Sequence, residues 1–152
     1  ADGTMAVQLA KHRDAEVTGV CSAGFPELVR SLGADHVIDY TAEDFTRNGQ
    51  RYDVILDNHG KATYARVKGS LAPGGRVLMI YGDLLPTIAA SWQKAVVSGT
   101  ARPTADHLRT VVSLAEQSVL KPVIDSVLPF AQIVEAHRYG QTIRPTAPHC
   151  GP

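Results

Sequence analysis

Polar residues follow several apolar runs of this chain, and those positions are where ligand chemistry is expected. Gly3 and Thr4 stand at the start of a helical pattern, Ser22 follows the run that ends at Cys21, and Tyr40 follows His36 to Asp39. Asn58 and His59 close the run that begins at Tyr52, and Tyr81 and Gly82 close the one that begins at Arg76. The first amides of a helix are unpaired donors at the positive end of a dipole, so Gly3 and Thr4 suit a pyrophosphate; they suit a plain helix cap equally well. For Asn58, His59, Tyr81 and Gly82 the competing reading is turn chemistry. His12, His36, His59, His107, His137 and His149 show no HxxxH or His/Cys ligand spacing, so no metal is predicted.

The elements that must position these residues are organised around Arg51 to Gly82. Tyr52 to Asn58 is apolar at successive positions, as expected of a parallel strand buried on both faces. Lys61 to Leu71 reads as a helix stopped by Pro73-Gly74-Gly75, and Arg76 to Tyr81 as a second buried strand. Upstream, a helix carrying Ala6, Leu9 and Ala10 precedes a strand at Glu16 to Cys21. Phe25-Pro26 opens a helix that Gly33 closes, His36 to Asp39 is a short strand, a short acidic helix lies around Glu43 to Phe45, and Asn48-Gly49 turns into the central unit. Downstream, Asp83 to Pro103 is expected to form a short helix or a lid. Thr104 caps a helix with Leu108, Val111, Val112 and Ala115 on one face, Val123 to Val127 is a strand, and Ala131 to Tyr139 is a helix with Ile133, Val134 and His137 inward. Residues 141–152, with three of the nine prolines, read as a disordered tail after a 1–140 domain. The alternation of helix and strand predicts a doubly wound α/β sheet.

The 152 residues suffice for one domain with a real core. Fifteen basic and fifteen acidic residues give a formal net charge of +0 without a run of like charge, which argues against nucleic-acid or membrane partners. No apolar stretch approaches the roughly 18 residues of a membrane span, and the default location is cytoplasmic. Cys21 and Cys150 imply no disulfide framework.

The strings GTMAVQLAK, AEVTGVCS, LVRSLGADHVIDYT, YDVILDN, LAPGGRVLMI and KPVIDSVLPF resemble the nucleotide-binding domain of zinc-independent medium-chain dehydrogenase/reductases, the quinone oxidoreductase branch often labelled zinc-binding or NAD(P)-dependent alcohol dehydrogenase. The resemblance spans about residues 2 to 140. It implies a Rossmann fold, NADPH as cofactor, hydride transfer to a quinone, enone or related small carbonyl compound, and room for a homo-oligomer. It places Gly3 and Thr4 at the pyrophosphate, Ser22 at the adenosine ribose, Tyr40 near the 2'-phosphate, and Asn58, His59, Tyr81 and Gly82 along the nicotinamide edge. Cys21-Ser22-Ala23-Gly24 contains no acid for the ribose hydroxyls, which favours NADP over NAD.

Departures from that family predict a truncated Rossmann domain. Only Gly3 remains of the glycine-rich loop, no strand precedes the first helix, and the GroES-like N-terminal domain has no counterpart. The sheet should then show either a central vacancy or direct pairing of the strands that flank it, and the chain should bind cofactor weakly and be inactive alone. Tyr64 and Lys68 match the YxxxK spacing of short-chain dehydrogenases but lie too close behind Asn58 for that role, so chance explains them. YDVILDN with LAPGGRVLMI also fits an S-adenosylmethionine-dependent methyltransferase, whose glycine-rich first loop and acidic second strand end are missing. A non-catalytic nucleotide-binding remnant is the third reading.

Overall fold

The computed structural model describes residues 2–58, 60–80, 94–98 and 103–142. Helix α1 (Asp2–His12), strand β1 (Thr18–Cys21), helix α2 (Pro26–Ser31) and strand β2 (His36–Asp39) form a first parallel unit, in which β1 and β2 pair from Thr18↔His36 to Cys21↔Asp39. Strands β3 (Tyr52–Asp57), β4 (Leu71–Met79) and β5 (Val96–Ser98) form a second parallel sheet in that order, with the short helix α3 (Tyr64–Val67) crossing between the first two.

Local chemistry accounts for the first unit. Pro26 sits in the first turn of α2, where its missing amide hydrogen is not needed. The helix ends in two backbone bonds, Gly33 N to Arg30 O at 2.9 Å and Ala34 N to Val29 O at 3.3 Å, with Gly33 at a φ of +107°. This double closure brings Ala34 back onto Val29, and both are buried with Val7 and Cys21 in one apolar cluster. α1 joins that cluster through Val7. Its buried Gln8 donates to Lys121 O at 3.0 Å and accepts from Lys121 N at 2.8 Å, so an amide side chain fixes a backbone segment 113 residues away.

Asp35 ties the strand ends together. Its carboxylate accepts from Val17 N at 2.7 Å and from Lys11 Nζ at 2.9 Å. The backbone bond from Val17, with Lys11 second, holds the Asp35 carboxyl below the usual carboxylate range. A depressed folded-state pKa contributes stability above the unfolded value of about 4, and that stability is lost as pH falls through the lower folded value. Acid titration of Asp35→Asn, followed by circular dichroism, should therefore show a shallower loss of stability below about pH 4 than the parent chain; an unchanged acid limb would refute the role.

The second sheet packs Ile55, Ala62, Val67, Leu71, Val77 and Met79 together, with Val67 and Val77 fully buried. Between Tyr52↔Leu71 and Val54↔Arg76 the ladder slips, and the extra residues of β4 bulge out. Gly75 in this bulge is obligatory: a Cβ there would stand 2.9 Å from Tyr52 O and 3.0 Å from Ala72 O.

Several expectations need correction. β3 is buried on one face only, since Val54 is 56% and Leu56 37% exposed; no described element covers the other face. The expected acidic helix at Glu43 is a single 3-10 turn, Phe45–Arg47, stopped by Asn48 and Gly49, and the 61–71 helix contracts to α3 and a 3-10 turn, Lys68–Ser70. The expected strand at Val123 to Val127 carries no ladder. The Ala105–Glu116 helix forms, with Thr104 Oγ1 accepting from His107 N at 3.2 Å, yet none of its residues is buried. The last described helix is Ile133–Thr142, so residues 141 and 142 are helical; Ile133, Val134 and His137 are exposed, not inward. Most of the expected lid, and residues 143–152, lie outside the described residues; Val96–Ser98, assigned to the lid, is strand β5.

Among the described residues β1 and β3 do not pair, so of the two alternatives for the sheet centre the structure has separate ladders. No described helix is long and apolar enough to cross a membrane.

Candidate functional site

Parallel strands expose all their carboxyl ends along one edge, which is where open α/β sheets bind ligands. The register of β1 and β2 places Ser22 and Tyr40 side by side on that edge: Tyr40 N donates to Cys21 O at 3.0 Å, and Phe25 N closes a turn onto Ser22 O at 3.0 Å. Both residues are half-buried, so each is held by the fold and still reachable.

Asp39 lies in the same place, opposite Cys21 in the ladder, and is not among the residues expected there from sequence. Its Oδ1 accepts from Thr41 N at 2.9 Å and Thr41 Oγ1 at 2.7 Å. The carboxylate is thus engaged by the following turn. The last residue of β2 carried the signal, an acid directly before Tyr40 in DHVIDYT. Cys21 itself is fully buried, and burial first, then the neighbouring Asp39, pushes its thiol up against a smaller opposing effect of Arg30. A raised thiol pKa makes it a packing residue rather than a nucleophile.

The end of β3 is organised by Asp57, which is 5% exposed. Its two carboxylate oxygens accept from Gly60 N at 3.1 Å and Ala62 N at 2.9 Å, which shapes the turn leaving the strand. Asn58 follows immediately, and its side-chain oxygen Oδ1 is buried without a hydrogen-bond partner among the described residues. Such an acceptor costs roughly 1–3 kcal/mol to leave unpaired, and it retains the capacity to accept one more hydrogen bond.

Gly3 and Thr4 lie within the first turn of α1, not ahead of it, and both are buried. The cap reading is therefore corrected; the helix already starts at Asp2. His59, Tyr81 and Gly82 lie outside the described residues. Tyr64 and Lys68 are placed on α3 and in the following 3-10 turn, beside the starts of β3 and β4.

Parallel strands joined by helices, with polar residues at their carboxyl ends, define a Rossmann-like α/β domain. Residues 32–145 match the family model described as zinc-binding dehydrogenase, and the chain belongs to that family. It is 31% identical over 162 residues to a chloroplast envelope quinone oxidoreductase homolog of Arabidopsis thaliana, covering 93% of this chain and 48% of that protein. It is 34% identical over 144 residues to an NADPH-dependent alkenal/one oxidoreductase of the same plant, covering 92% of this chain and 35% of the relative. The quinone oxidoreductase of Coxiella burnetii superposes with a TM-score of 0.76 at 20% identity, over 93% of this chain and 46% of that one, and shows the shared fold. The chain thus spans about half or less of the length of the relatives it matches. Family membership sets aside the methyltransferase reading.

Despite the family's name, the described residues do not fit a zinc site. No three His, Cys, Asp or Glu side chains converge among them, where zinc takes three or four protein ligands.

Proposed function

We propose that this chain supplies the dinucleotide-binding part of an oxidoreductase that transfers hydride from NADPH to a quinone, enone or related carbonyl compound. The observation that carries the reading is the buried, unpartnered Oδ1 of Asn58 at the carboxyl edge of β3. Ser22 and Tyr40, adjacent at the same edge of the β1–β2 unit, support it, as do relatives named as a quinone oxidoreductase homolog and an NADPH-dependent alkenal/one oxidoreductase.

When bound, reduced nicotinamide supplies the hydride. The chain's own residues orient and hold. Asn58 accepts a hydrogen bond from a ligand hydroxyl or amide, and the amides opening α1 face the pyrophosphate. Ser22 and Tyr40 hydrogen-bond the adenosine ribose and its 2'-phosphate. Positioning of this kind can contribute several kcal/mol to a hydride transfer by fixing the reacting atoms about 3–3.5 Å apart. Asp57 is engaged by two backbone amides, so no described group at this edge forms an acid/base pair. The 152-residue chain alone is therefore expected to bind cofactor weakly and not to turn over.

NADPH is the preferred dinucleotide in this reading, because Ser22, at the end of β1, presents no charge and Thr41 occupies the Asp39 oxygen that would otherwise accept from a ribose hydroxyl. Calorimetric titration should show tighter binding of NADPH than NADH, and Ser22→Asp should reverse the order by about tenfold through repulsion of the 2'-phosphate. Tighter binding of NADH by the parent chain would refute the preference.

A further inference from the structure

At the amino ends of β3, β4 and β5, opposite the edge described above, lies a hollow of about 700 Å³. Arg51, just before β3, Lys68, after α3, Arg76, on β4, and Lys94, just before β5, all line it, and no Asp or Glu is among its described lining residues. None of the four makes an ion pair among the described residues, although Lys11, Arg30, Arg47, Arg66 and Arg109 do. Arg51 is fixed in place, its guanidinium donating to the carbonyls of Gly69 and Leu71. The wall between Lys68 and Arg76 is the Ala72–Gly75 bulge of β4, and bulges of this kind re-aim the backbone at functional edges.

In a chain of formal net charge +0, four cations around one concavity with no ion-pair partner among the described residues are a segregation of charge. A cleft lined by one sign focuses potential and concentrates counter-ions. The geometry points to a second anion site here, for a small molecule carrying two or more phosphate groups, separate from the dinucleotide edge. The volume suits a small molecule, within the roughly 300–1,000 Å³ of ordinary ligand pockets. Confinement of the charge to a hollow, rather than a stripe along a face, disfavours nucleic acid. Four cationic heads match the paired oxygens of two phosphates.

Inorganic pyrophosphate is the probe, titrated calorimetrically into the full 152-residue chain at low salt, with and without saturating NADPH. Binding is expected in both cases, at least tenfold weaker in the Lys68→Gln/Arg76→Gln double variant and unchanged in Arg109→Gln. Should the double variant unfold, Lys94→Gln alone, at an exposed position, is expected to weaken binding at least threefold. The inference is overturned by absence of binding, by displacement with NADPH, by an equal loss in Arg109→Gln, or by a short single-stranded oligonucleotide binding more tightly than pyrophosphate through the same residues. Failure of NADPH itself to bind would count against the proposed oxidoreductase role and leave the pyrophosphate result interpretable.

Discussion

Gly19→Ala is expected to destabilise the folded chain by about 1–3 kcal/mol, and the cost should shrink when Val29 is already truncated. Gly19 lies in β1 with α2 directly over it. A Cβ there would come within 2.4 Å of Val29 Cγ1, and Val29 is 1% exposed, so it has no free space to turn into. Val29→Ala alone should cost about 2 kcal/mol from lost burial and an unfilled cavity. Together the two changes place a methyl where a methyl was removed, so they should cost at least about 1 kcal/mol less than their sum. Urea unfolding of the four chains in this cycle measures the coupling. Strict additivity would show that β1 and α2 are not in the close contact described.

Asn58→Ala should separate stability from binding, and in opposite directions. Removing a buried acceptor that has no partner relieves a desolvation penalty, so the apo chain should gain up to about 1 kcal/mol. Cofactor affinity should fall about tenfold, the loss expected for one hydrogen bond accepted from the ligand. Stability gained at the expense of function is the pattern of a binding residue held in an unfavourable apo state. Thermal unfolding with and without NADPH reads both quantities. A variant that loses stability while keeping its affinity would make Asn58 a structural residue.

Much of this architecture was legible because local chemistry specifies it. Pro26 and Gly33 bracket α2, Thr104 caps its helix, and Asn48-Gly49 turns the chain, since each depends on backbone geometry within a few residues. His36–Asp39 was found as a strand for the same reason: a short apolar run between turn signals. The candidate site was legible in part. A strand end can be read from composition, and parallel pairing then places Ser22 beside Tyr40 without further information.

What the sequence could not settle depends on partners far along the chain. The apolar run of β3 suits burial on both faces, but burial is decided by what packs above and below, and Val54 and Leu56 face no described element. Leu108, Val111 and Val112 form an apolar helical face that remains exposed for the same reason. The Val123 to Val127 run has strand composition but pairs with no described strand, whereas Val96–Ser98 became a strand because β4 offered it an edge. The Gln8 clamp on Lys121 and the unpaired oxygen of Asn58 are likewise tertiary facts. Periodicity and capping determined which segments are regular and where they end, because those energies are local. Which faces are covered, which polar atoms are satisfied and which charges share a hollow were decided only when distant segments met.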